Sequence, residues 1–102
     1  MHAVLITVRS SAAPDELADI FARHAEALQG APGLVMKTWL HDGETLGGFH
    51  LFATREAAAE YLASALVARF AAHPAFAACA VRHFAVLEEL SRATGTPQPL
   101  GA

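Results

Sequence analysis

A chain of 102 residues has room for one domain and one core, and excludes a second. A net charge of -3 and a pI near 6.0 give no positive field to hold phosphates, which argues against nucleic acid as a partner. Hydrophobic residues make up 54% and charged ones 17%, a high ratio for a domain with so much surface to keep polar. Alanine inflates that figure, and the surplus left after discounting it calls for a partner.

The single cysteine, Cys79, excludes an internal disulfide and, with no second thiol nearby, is a poor metal ligand. The apolar stretch in MHAVLITVR is shorter than a signal-peptide core and lacks a basic flank, and no run approaches the roughly 18 apolar residues of a membrane span. The expected compartment is the cytoplasm, with no membrane partner.

In chain order, His2 to Arg9 alternates with mostly apolar character and predicts a buried central strand, closed by Ser10 and Ser11. Pro14 suits a first helical position, with Asp15 and Glu16 at the positive end of the helix dipole. Leu17, Ile20, Phe21, His24 and Leu28 then recur at helical spacing until Gly30, Pro32 and Gly33 end the helix. A hairpin follows over Pro32 to Thr54. Alternation sets Lys37, Trp39 and His41 against Met36, Thr38 and Leu40 in its first strand. The second strand sets Gly48, His50 and Phe52 against Phe49, Leu51 and Ala53, so neither face of the hairpin is purely polar. The turn Asp42 to Thr45 has the residues of a tight reversal, and a loop of two or four residues keeps Trp39, Gly48 and His50 on one face.

Thr54 caps a second helix with Glu56 in its first turn. Its buried stripe is Ala58, Tyr61, Leu62, Ala65 and Leu66, and His73 and Pro74 mark its end. Ala78 to Leu87 reads as the last strand. From Ser91 no core pattern remains, so the division is a domain over 1–90 and a loose C-terminal tail over 91–102. The order βαββαβ is the ferredoxin-like α+β arrangement, an antiparallel four-stranded sheet. Right-handed crossovers give the spatial order 4-1-3-2 with both helices on one face. The open face then expects a second copy, a homodimer closing two sheets into an α/β barrel.

The candidate site lies on the hairpin. Trp39 beside Gly48 has two readings, core packing or pocket wall, with the glycine leaving room for the indole. His50 sits mid-strand on the same face. It is either a hydrogen-bonded structural histidine or, with an ordinary pKa of about 6.5, a base for a phenol or an anthrone. Lys37 either snorkels to the rim or meets an acid or an anionic substrate oxygen. His24 lies on the stripe of the first helix, as core residue or pocket lining. Tyr61 packs its ring and turns its hydroxyl to a rim, a ligand hydrogen bond being the other reading. His50 and His83 stand two strand spacings apart, about 9.6 Å, which is too far to share a metal. No serine lies in a nucleophile elbow, and Gly47 and Gly48 fall inside a strand rather than at a helix start, so nucleotide and flavin binding have no support.

Pro32 Gly33 Leu34, then Lys37 Thr38 Trp39, then Gly47 to Phe52 leading into an alanine-rich helix with Tyr61 and Leu62, resembles the YdhR-like putative mono-oxygenases. These belong to the dimeric α/β-barrel superfamily, with cofactor-free antibiotic-biosynthesis monooxygenases and heme-degrading monooxygenases. The resemblance runs from the first strand to about Leu90. It implies a homodimer, a pocket between helices and sheet in each subunit, and oxidation of a flat aromatic substrate by dioxygen. Where the heme-degrading branch has a Trp on the third strand and a His on the helix, this chain has Phe52 and, near the second position, Leu62. No cofactor is therefore expected. The polyketide-oxidising branch has an Asn and a Trp four apart where this chain has Gly48 and Phe52; in the pocket-wall reading, Trp39 on the neighbouring strand would supply the aromatic wall to that space. One expectation is thus a cofactor-independent monooxygenase acting on a small aromatic or phenolic molecule. His50 would be catalytic, with Trp39, Phe52, Lys37, His24 and Tyr61 around the substrate. The other is a non-catalytic dimeric binding or stress-related accessory protein for a small apolar metabolite.

Overall fold

Alternating apolar residues pair His2–Ser10 (β1) with Thr45–Phe52 (β3) on one side and Phe76–Ala85 (β4) on the other, in a computed structural model that describes residues 1–99. Leu34–His41 (β2) pairs with the outer edge of β3, and all the pairings are antiparallel. The order β2-β3-β1-β4 is the one expected from right-handed crossovers. The chain has the ferredoxin-like α+β fold. Its helices are Ala18–Leu28 (α1), Arg55–Leu62 (α2), Ala65–Ala71 (α3) and Glu88–Ala93 (α4), with a 3-10 turn at Pro14–Leu17 leading into α1.

The hairpin has the expected register, with Trp39 opposite Gly48 and Lys37 opposite His50. Asp42 sets the turn. Its carboxylate accepts from the amides of Glu44 at 3.1 Å and Thr45 at 2.7 Å, and Gly43 takes the φ of 101° that a side chain would resist.

The predicted second helix is in fact two. Ser64 lies in extended conformation between α2 and α3, its hydroxyl donating to the Tyr61 carbonyl at 2.6 Å and accepting from the Val67 amide at 3.4 Å. One side chain thus closes one helix and caps the next. The last strand begins at Phe76 rather than Ala78 and ends at Ala85, because Leu87 already turns into α4. The expected tail boundary at Ser91 falls inside α4, and residues 100–102 lie outside the described residues.

Both edge strands are irregular. Thr7 pairs with Ala80 and Arg9 with Ala77, which leaves one extra residue on β4, where Ala78 has a φ of 53°. Leu34 pairs with Phe52 and Met36 with Leu51, which leaves one extra residue on β2. The core fills the space between sheet and helices in two clusters. Val4, Leu28, Phe52, Ala58 and Tyr61 form one, and Val8, Leu17 and Leu46 the other. Val4 and Val8 share one face of β1, so both clusters lie on the same side of the sheet. The opposite side presents Leu5 and Phe49, half-buried, with Leu40 and Phe84 exposed.

Candidate functional site

A cavity of about 400 Å³ opens between the two core clusters, bounded by α1, α3 and the helix-facing side of the strands. Phe21, Trp39, Val67 and Phe70 form apolar walls, and its polar side chains include Lys37, His50, His24 and Tyr61. That is the composition of a small-molecule pocket, mostly apolar with a few converging polar groups.

His50 is its most constrained member. The residue is 1% exposed, and Nδ1 lies 3.1 Å from the Gly48 carbonyl and 3.4 Å from that of Val4. Carbonyls only accept, so Nδ1 carries the proton and Nε2 holds a bare lone pair. That Nε2 is buried and has no partner among the described residues. Leaving such an atom unsatisfied costs about 1–3 kcal/mol, a penalty that a ligand hydroxyl removes. Burial, followed by the nearby Lys37 charge, holds the His50 pKa down at about 4, so the ring is neutral at neutral pH.

Lys37 does not reach the rim. Its side chain is half-buried on the cavity wall, with Nζ 3.6 Å from the centre of the Trp39 ring. Among the described residues no carboxylate lies within ion-pair distance of it. Burial brings its pKa down to about 8, and the indole face is its compensation.

The sequence reading had Gly48 making room for the indole. The room is used otherwise: a Cβ on Gly48 would fall 2.7 Å from Lys37 Cε and 2.7 Å from His50 Cε1. Trp39 is a cavity wall, 38% exposed, tilted against Phe21 at 5.3 Å and edge-on to His24 at 5.8 Å.

His24 is buried and lines the cavity, and its Nε2 shares a 3.1 Å hydrogen bond with the Tyr61 hydroxyl. Tyr61 therefore points inward rather than to a rim. Burial lowers the His24 pKa to about 4, with Lys37 and then His50 adding to the effect, and burial raises that of Tyr61 to about 12. Phe52 is fully buried and stands behind the wall. It stacks on His50 with centroids 6.2 Å apart and packs at a tilt against Tyr61 at 5.5 Å, and so fixes both rings without facing the cavity.

The structure thus brings His50, Lys37, Trp39, His24 and Tyr61 to one cavity and sets Phe52 in support. Sequence reasoning missed Phe70, which lies 4.6 Å from His24 and 6.1 Å from Phe21. Its signal was present, since it follows Leu66 by four residues and continues the helical stripe.

Residues 5–97 match the family model described as putative mono-oxygenase ydhR. The chain belongs to that family. A search of curated proteins returned no match. Solved structures of this family's fold share its shape at low identity. A protein of unknown function from Nitrosomonas europaea is 20% identical, with a TM-score of 0.72 over 84% of this chain and 88% of that one. SnoaB from Streptomyces nogalater, described as a cofactor-independent oxygenase, is 19% identical, with a TM-score of 0.68 over 99% and 97%. MhuD from Mycobacterium tuberculosis, a heme-degrader with two hemes bound in its active site, is 20% identical, with a TM-score of 0.66 over 85% and 96%. The likeness to all three is one of fold. Among the described residues no helix is long and apolar enough to cross a membrane.

Proposed function

We propose that this chain is a cofactor-independent monooxygenase that oxidises a small, flat phenolic substrate with dioxygen inside the helix–sheet cavity. Family membership and the likeness to SnoaB support the monooxygenase part of this reading. The observation that carries the rest is the unpartnered, buried Nε2 of His50 in an aromatic-walled cavity.

A substrate hydroxyl donates to that nitrogen and the proton then transfers to it, leaving an electron-rich anion. With an imidazole held at about 4, transfer from an ordinary phenol of pKa about 10 is uphill by roughly 8 kcal/mol. That is about half of the roughly 16 kcal/mol barrier of an enzyme turning over near ten times per second, so the step is affordable and favours acidic substrates. The anion passes an electron to dioxygen, and the two radicals join to form a carbon–oxygen bond. The peroxide anion so formed takes the proton back from His50, and the hydroperoxide then loses water: the O–O bond breaks, the proton on the same carbon leaves and a carbonyl forms. The attacked ring carbon goes from C–H to C=O and the hydroxyl carbon becomes the second carbonyl of a quinone, while the other oxygen atom leaves as water, so the substrate supplies all four electrons. In the same reading, two copies pair through the helix-free sheet face.

A second reading, a non-catalytic binder of an apolar metabolite, is favoured by the low basicity of His50. Both are tested by titrating anthrones and naphthols against the emission of Trp39, the one tryptophan, and then following oxygen uptake with each compound that binds. We expect uptake with the wild type and a loss of roughly 10²- to 10⁴-fold in His50→Ala. Saturable binding with no uptake overturns the oxygenase reading and leaves the binder.

A further inference from the structure

Two unsatisfied groups of opposite kind meet at one point of the cavity wall. Lys37 and His50 are a directly opposed cross-strand pair, and both lean over the backbone of Gly48. The position of the missing Cβ lies 2.7 Å from Lys37 Cε and 3.4 Å from His50 Nε2, and the ammonium is one bond beyond Cε. One group is a desolvated cation whose only close compensation among the described residues is the face of Trp39. The other is a buried acceptor with nothing to accept. A hydroxyl satisfies both, because its oxygen accepts from Nζ while its hydrogen goes to Nε2. Once the proton has moved, the oxygen that remains is negative and lies against a cation in a water-poor site, where the attraction is much stronger than in water.

We propose that Lys37 and His50 bind the same oxygen of an acidic ring hydroxyl and that Lys37 retains it as an anion, so that the site takes phenols and enols in their ionised form. This rests on the reading of the cavity as a phenol site and adds its selectivity. The surroundings agree with it. The titratable groups facing Lys37 from the elements around the cavity are His41 on β2, His50 on β3, His24 on α1, Tyr61 on α2 and Cys79 on β4, while β1 and α3 contribute only apolar side chains. None is a carboxylate, so among the described residues no Asp or Glu lines the cavity to compete with a bound anion. The grip on the anion weakens as pH rises through about 8, where the free lysine loses its charge.

The test needs no turnover. The probe is 4-nitrophenol, whose neutral and ionised forms absorb differently, titrated with protein in the absence of dioxygen at a pH below its own pKa. In the wild type the band of the anion grows on binding, and the pKa of the bound probe falls by about 1–3 units. Lys37→Met keeps the length and apolar stem of the side chain, and in it the probe binds as the neutral phenol, at least tenfold more weakly. Lys37→Arg restores the anion band, whereas 4-nitroanisole, with no proton to lose, binds wild type and Lys37→Met alike. A wild type that binds the probe in neutral form, or not at all, overturns the proposal, as does an equal shift in Lys37→Met. Because dioxygen is absent, a missing oxygenase activity leaves this result standing. Conversely, oxygen uptake by a substrate that binds un-ionised removes this inference alone.

Discussion

A single absent methyl group sets the spacing of the candidate site. Gly48 is the gap into which the Lys37 stem and the His50 ring both fold, and the two neighbours differ in how far they can yield. Lys37 ends in a flexible chain. His50 is anchored through Nδ1 to the Gly48 and Val4 carbonyls and stacked on Phe52. In Gly48→Ala the lysine therefore moves first, leaving the Trp39 face, and the protein loses roughly 1–3 kcal/mol by overpacking. Denaturant unfolding measures the loss, and a change in Trp39 emission in the folded state reports the departure of the ammonium. At this scale the sequence showed which residues share a face but not what each one touches. Alternation placed Lys37, Trp39, Gly48 and His50 together, yet whether the indole or the lysine leans over the glycine depends on side-chain torsions that no periodicity encodes. The inward turn of the Tyr61 hydroxyl was hidden for a related reason. Its partner His24 lies on another helix, 37 residues away, and the bond exists only once both helices are docked.

Among the elements, the break at Ser64 decides where the roof of the cavity lies. Had the helix run straight on from Thr54, Val67 and Phe70 would continue the axis of α2. The break lets α3 set off afresh and bring both residues to the cavity. Ser64→Ala removes the acceptor for the Val67 amide and the donor to the Tyr61 carbonyl, and the expected loss is about 1 kcal/mol. A lowered melting temperature with wild-type circular dichroism is the expected signature, and an unchanged melting temperature would remove the role assigned to the cap. The hairpin was legible because its turn chemistry and two-residue period point the same way. The split helix was not, because an alanine-rich stripe keeps helical spacing across the break and only the serine marks it. α4 left no trace in the pattern, since the leucines at its start and middle stay mostly exposed: Leu87, just before it, and Leu90 are 71% and 69% exposed.

At the scale of the whole molecule, three helices cover one side of the sheet and the other side keeps Leu40 and Phe84 in the open. Apolar area of this kind on a small domain marks an interface, and its occupant in our reading is a second copy of the chain. Light scattering at micromolar concentration is expected to give twice the 10.7 kDa chain mass, and a strictly monomeric mass would sink the pairing. The fold order was readable from the sequence because each element carries its own period. The need for cover was readable only as a surplus of apolar residues, since a sequence shows that a face needs cover without showing what covers it. The bulges in β2 and β4 bear on how far such association goes. A sheet can grow by adding strands at its edges without limit, which is the route to filaments, and both edges of this one are bent by an extra residue. With its borders spoiled as templates, the sheet would associate through its face, and in the proposed pair a face covered by one copy has nothing left to offer a third.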